Sequence, residues 1–159
     1  MLEKLVSGGQ TGVDRAGLDV ALELGYSCGG WCPKGRKAED GALPSRYPLI
    51  ETPTDDYAER TTWNVRDSDG TLILAHGKLT GGTAQTIDDA IQLTRPYLVV
   101  DLGRSSGISA VLDWLREQRI RILNVAGPRE SKQPGIYREA SQFLRELLAR
   151  ERPASPPSR

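Results

Sequence analysis

The stretch Lys4-Leu5-Val6-Ser7-Gly8-Gly9-Gln10-Thr11-Gly12-Val13-Asp14 decides the fold. An apolar run from Lys4 to Ser7 stops at Gly8-Gly9, which predicts a buried strand ending in a turn. Beyond the turn, Ala16, Val20, Ala21 and Leu24 recur at helical spacing, so an amphipathic helix follows. Such a junction brings main-chain N–H groups and the positive end of a helix dipole to one point, where phosphate is the natural ligand. The spacing is neither G-x-G-x-x-G nor a Walker A loop, since no Lys-Ser/Thr follows Gly12. The competing reading is a tight turn with Asp14 as a helix cap or first-turn carboxylate.

The same grammar repeats along the chain. Apolar runs at Thr71 to Ala75, Tyr97 to Leu102 and Arg121 to Ala126 each stop at glycine. Between them lie helical stripes: Ile87, Ala90 and Ile91, then Ile108, Val111, Leu112 and Leu115. Ala140, Phe143, Leu144, Leu147 and Leu148 form the apolar side of a final covering helix. Alternating strands and helices imply an α/β fold, a Rossmann-like three-layer sandwich with a mostly parallel sheet. Its ligands would sit beyond the carboxyl ends of the strands, where all four glycine stops gather. Residues 1–150 are expected to form one ligand-binding domain, followed by a disordered tail over 151–159 rich in Pro, Ser and Arg.

Four further stretches carry polar chemistry. Gly77-Lys78-Leu79-Thr80-Gly81-Gly82-Thr83-Ala84-Gln85-Thr86 is a second strand-to-helix junction, in which Thr83 can cap the helix and still leave donors free for an anion. Residues 26–48 hold too many Gly and Pro for a regular element beyond a short strand near Tyr26 to Gly29, and a loop this long is functional or disordered. It contains Lys34, Gly35, Arg36, Lys37, Glu39 and Asp40, which read equally as a clamp on a charged ligand and as a solvated face. Trp31 is a stacking platform or a buried loop aromatic. On a helix ending before the third strand, Arg60 and Asn64 share a face, while Arg129 after the last strand is an anion contact or a helix-entry charge.

Composition narrows the function. The 159 residues carry 21 Lys+Arg and 21 Asp+Glu, which excludes a general nucleic-acid or membrane-surface binder. With one His and two Cys, the chain cannot build a four-ligand zinc site from those residues alone, and no resident metal is expected. Cys28 and Cys32 read as ordinary thiols, with a soft-metal role as the minority reading. His76 has no evident carboxylate or nucleophile neighbour in the sequence and reads as structural. No apolar run reaches the length of a membrane span, so a soluble, cytoplasmic protein is expected.

Taken together, Ser7-Gly8-Gly9-Gln10-Thr11-Gly12-Val13-Asp14-Arg15, Gly30-Trp31-Cys32-Pro33-Lys34-Gly35-Arg36, Glu39-Asp40-Gly41, Thr62 to Thr71, Gly81-Gly82-Thr83 and Asn124 to Arg129 resemble the family described as putative molybdenum carriers. The resemblance runs from Leu5 to about Leu148 and connects it to a wider Rossmann-like nucleotide-binding group that includes phosphoribohydrolases. It implies a homo-oligomer, dimer or tetramer, that binds a phosphate-bearing heterocycle: molybdenum cofactor for storage and delivery, or a related nucleotide. The ligand would be held by Gly8, Gly9, Gln10, Thr11, Gly12, Asp14, Arg15, Lys34, Gly35, Arg36, Glu39, Asp40, Asn64, Gly81, Gly82, Thr83 and Thr86. The alternative implied by the wider group is an enzyme releasing a base from a nucleoside monophosphate. Thr80 to Asp88 would then match the Pro-Gly-Gly-x-Gly-Thr-x-x-Glu segment of the hydrolases with several departures, making Asp88 the candidate acid/base and Arg36 or Arg15 the phosphate partner.

Overall fold

The computed structural model describes residues 1–104 and 107–152. Its centre is a five-stranded sheet of β1 (Lys4–Val6), β2 (Ser27–Gly29), β7 (Gly70–Ala75), β8 (Tyr97–Asp101) and β9 (Ile122–Ala126). The order is β2-β1-β9-β7-β8 and every pairing is parallel. Helices α1 (Val13–Leu24), α3 (Gly81–Gln92), α4 (Ile108–Glu117) and α5 (Ile136–Glu151) connect or cover these strands, and α2 (Tyr57–Arg66) precedes β7. The Rossmann-like α/β arrangement expected from the glycine-stopped runs is the one observed.

The two faces follow from strand alternation. Along β7, Leu72 and Leu74 enter a core with Val13, Ala16 and Val20 of α1, Ile108 and Val111 of α4, and Leu144 and Leu147 of α5. Ile73, also fully buried, faces the other way, where α2 and α3 pair. α1 ends at Gly25, whose left-handed φ of 75° lets its N–H reach the Ala21 carbonyl. α5 extends to Glu151, one residue into the expected tail, and residues 153–159 lie outside the described residues.

The segment 26–48 differs from its expectation. After β2 it carries a strand pair, β3 (Trp31–Cys32), bonded to β6 (Ile50–Glu51), and a small hairpin of β4 (Lys37–Ala38) and β5 (Gly41–Ala42). A second buried cluster of Leu18, Cys32, Ala38, Leu43, Tyr47 and Leu49 pins it to α1. Tyr47 reinforces this by donating its hydroxyl to Asp19 of α1 at 2.6 Å. Gly and Pro remove regular periodicity from the loop, but they do not prevent it from owning a core.

Candidate functional site

The connections from β1 and β7 leave the sheet in opposite directions, so a crevice opens over β9 at the carboxyl edge. A cleft of about 190 Å³ occupies it. Its walls come from the turn after β1 (Gly8, Gln10), α2 (Tyr57, Arg60, Thr61, Asn64), the β7–α3 junction (Lys78 to Thr86) and the end of β9 with its following loop (Asn124 to Gln133). Four cations line it, Arg60, Lys78, Arg129 and Lys132, against a single carboxylate residue, Asp14, among the described residues.

The two glycine junctions behave differently. At the first, the buried Asp14 carboxylate faces the main chain of Gln10 and Gly8, which favours its charged form, so the turn is directed at its own side chain. Three further N–H groups of the turn are occupied: Gly9 N–H faces Ser7 Oγ at 3.4 Å, Thr11 N–H donates to Gln10 Oε1, and Val13 N–H to the Pro128 carbonyl. Asp14 is 8% exposed. Burial pushes its pKa up to about 6, opposed by Arg60, by the Gln10 and Gly8 hydrogen bonds and by Arg15.

At the second junction the N-terminus of α3 is open. Thr80 caps it without a side-chain hydrogen bond, and the N–H groups of Gly81, Gly82 and Thr83 have no partner among the described residues. Lys132 overhangs this end, its Nζ 2.6 Å from where a Cβ on Gly81 would lie. The Thr83 hydroxyl, on a residue only 8% exposed, is likewise without a partner among the described residues and lines the cleft. Thr86 donates to the Gly82 carbonyl instead.

Arg60 forms part of the floor. Its Nη1 donates to the Gly8 carbonyl at 2.8 Å and its Nε to Thr61, leaving Nη2 without a protein partner among the described residues. Glycine at position 8 leaves room for the guanidinium, since a Cβ there would lie 2.5 Å from Arg60 Nη1 and displace it. Asn64 lines the cleft, yet its amide is committed: Oδ1 accepts from Trp31 N–H at 2.8 Å and Nδ2 donates to the Trp31 carbonyl at 2.9 Å. Trp31 packs edge-on to Trp63, ring centroids 4.8 Å apart, and donates to Asp67.

Of the residues expected to hold a ligand, the cleft therefore brings together Gly8, Gln10, Asp14, Asn64, Gly82, Thr83 and Thr86. Gly81 stands at its rim beside Lys132. Gly9 and Gly12 lie behind the turn, against Leu43 and Leu49 and against the Pro128 carbonyl respectively. The long loop is a brace: Arg15 binds Asp40 through two hydrogen bonds of 3.0 Å, and Glu39 accepts from Thr11 and from Ser131. Arg36 spends its guanidinium on the carbonyls of Leu43, Pro44, Tyr47 and Leu49. Lys34 and Gly35 are exposed and outside the cleft, Gly35 N–H being held by Glu51. Asp88 is exposed on α3, away from the lining.

The sequence reading singled out Arg60, Lys78 and Arg129, but it missed Tyr57, Thr61, Lys132 and Gln133, which carry no local motif. It also missed the surroundings of His76: Nε2 contacts Glu139, and Nδ1 lies 3.9 Å from Asp101. These partners stand 63 and 25 positions away, out of reach of any spacing argument. Cys28 and Cys32 lie outside the cleft, and burial raises both thiols. No group of three or more metal-ligating side chains occurs among the described residues. No helix among them is long and apolar enough to cross a membrane.

An all-parallel sheet with a cationic crevice over its central strand defines a Rossmann-like domain of the kind that binds ligands at a sheet edge. The chain belongs to the circularly permutated YpsA SLOG family, whose model matches residues 5–148. It is similar to a protein solved at 1.45 Å resolution from Syntrophus aciditrophicus SB under the name "Putative molybdenum carrier protein". The two share 48% identity and superpose with a TM-score of 0.90, over 93% of this chain and 96% of that one. No curated protein matches the chain.

Proposed function

We propose that the protein binds a phosphate-bearing heterocyclic small molecule in the cleft over β9, with the phosphate at the N-terminus of α3. The observation that carries this reading is the coincidence, at the N-terminus of α3, of three N–H groups without a partner among the described residues, the Thr83 hydroxyl and the Lys132 ammonium, with Lys78 and Arg129 lining the same cleft. Dipole, donors and cations there all favour an anion. The first glycine turn is not the phosphate cradle in this reading, because the buried Asp14 carboxylate faces its main chain and would repel an anion there.

Molybdenum cofactor, carried as cargo, is the ligand that the name of the similar protein supports. The cleft lining holds neither thiol nor imidazole among the described residues. The fit is therefore to the phosphate and ring of such a molecule, with the metal held by the ligand's own sulfurs. Carriage of an intact cofactor, assembly into a homo-oligomer and residence in the cytoplasm belong to this proposal.

Calorimetric titration with inorganic phosphate and 5′-GMP tests it. Both are expected to bind wild type, and Lys78→Ala/Lys132→Ala to weaken each by about tenfold or more, the loss of two charge-assisted contacts. Absence of binding by wild type, or unchanged binding by the double variant, would overturn the placement of the phosphate.

A further inference from the structure

The floor of the cleft pairs one acceptor with one donor. The Asp14 carboxylate lines the cleft facing the main-chain N–H groups of Gly8 and Gln10, and a carboxylate offers about four lone-pair positions, so acceptor capacity remains. Gln10, which supplies one of those N–H groups, is itself locked, its Oε1 accepting from Glu39 N–H at 2.8 Å and from Thr11 N–H. Arg60 is fixed through Nη1 and Nε and keeps Nη2 free of protein partners among the described residues. Both residues are 8% exposed and line the cleft.

Resting on the phosphate placement above, we propose that Asp14 and Arg60 select the ring. They read an edge that presents an amino group, a ring N–H and a carbonyl side by side, the 2-amino-4-oxopyrimidine edge of guanine and of pterins. Asp14 accepts from the amino group and the ring N–H, while Arg60 Nη2 donates to the carbonyl. An adenine edge offers a ring acceptor where Asp14 also accepts, an unfavourable pairing that a buried site cannot relieve with water. Hypoxanthine lacks the amino group and leaves one Asp14 position unmatched.

Calorimetric titration of 5′-GMP, neopterin phosphate, 5′-IMP, 5′-AMP and inorganic phosphate into wild type and Asp14→Asn decides the matter. GMP or neopterin phosphate is expected to bind wild type about tenfold or more tightly than IMP and AMP, and the tighter of the two identifies the ring system. A smaller preference overturns the proposal. Asp14→Asn is expected to lose the preference while still binding inorganic phosphate, at least as tightly as wild type because a negative charge has left the cleft; a variant that keeps the preference overturns the proposal equally. If that variant fails to fold, the wild-type series decides alone. Failure of wild type to bind inorganic phosphate would instead remove the phosphate placement, so the two readings fall by different observations.

Discussion

Asp14 is where recognition and stability pull against each other. Its folded pKa, pushed up to about 6 by burial, lies above that of an unfolded chain, so the fold favours the neutral acid. The stabilisation from the protonated form is complete below about pH 4 and is lost as pH rises through about 6. Asp40 works in the opposite sense: the Arg15 guanidinium holds its carboxyl below the ordinary range, so its contribution is present at neutral pH and lost on acidification. Comparing wild type with Asp14→Asn cancels Asp40 and every other shared group. Urea unfolding should show wild type losing up to about 3 kcal/mol relative to Asp14→Asn between about pH 4 and about pH 7. Parallel pH profiles would show that the Asp14 carboxylate ionises without cost in the folded protein.

The long brace between β2 and α2 owes its shape to Arg36. Its main chain has a φ of 54°, and its guanidinium satisfies four carbonyls that no sheet or helix would otherwise engage. Arg36→Met should cost about 2–4 kcal/mol in urea unfolding. It should leave inorganic phosphate affinity within about twofold, because the residue is outside the cleft; a larger loss would make Arg36 a ligand contact. This element also marks the limit of what the sequence discloses. Glycine stops locate four of the five central strands and apolar stripes four of the helices, because burial imposes period on them, while β2 shows only as a short strand inside an irregular stretch. Three cations within four residues draw attention to Lys34, Arg36 and Lys37, whereas the four cations lining the cleft come from three separated elements, one from α2, one from the β7–α3 junction and two from the loop after β9. Only the strand order brings Arg60 and Lys132 to one crevice, and strand order leaves no local trace. The brace reads in sequence as a clamp or a solvated face because the carbonyls that consume Arg36 have no signature in the side-chain pattern.

For the molecule as a whole, the last turn of α5 closes the structure. Glu151 accepts from Leu2 N–H at 2.7 Å and from the Tyr26 hydroxyl at 2.8 Å, while Tyr26 also donates to the Leu148 carbonyl. Arg152 lies over the Tyr26 ring, 3.9 Å from its centroid. Glu151→Ala should therefore cost about 1–2 kcal/mol in urea unfolding, because it strips the acceptor from the Leu2 N–H while the single Tyr26 O–H falls back on the Leu148 carbonyl. An unchanged midpoint would mean that this clasp is ornamental. The nearness of Leu2 to Glu151 has a wider meaning. A polypeptide whose first strand and last helix already touch can be joined there into a ring and cut open at another surface loop without moving a strand of the sheet. The order in which the elements are synthesised is thus separable from the order in which they pack, and a relative could begin its chain elsewhere and still assemble the same crevice.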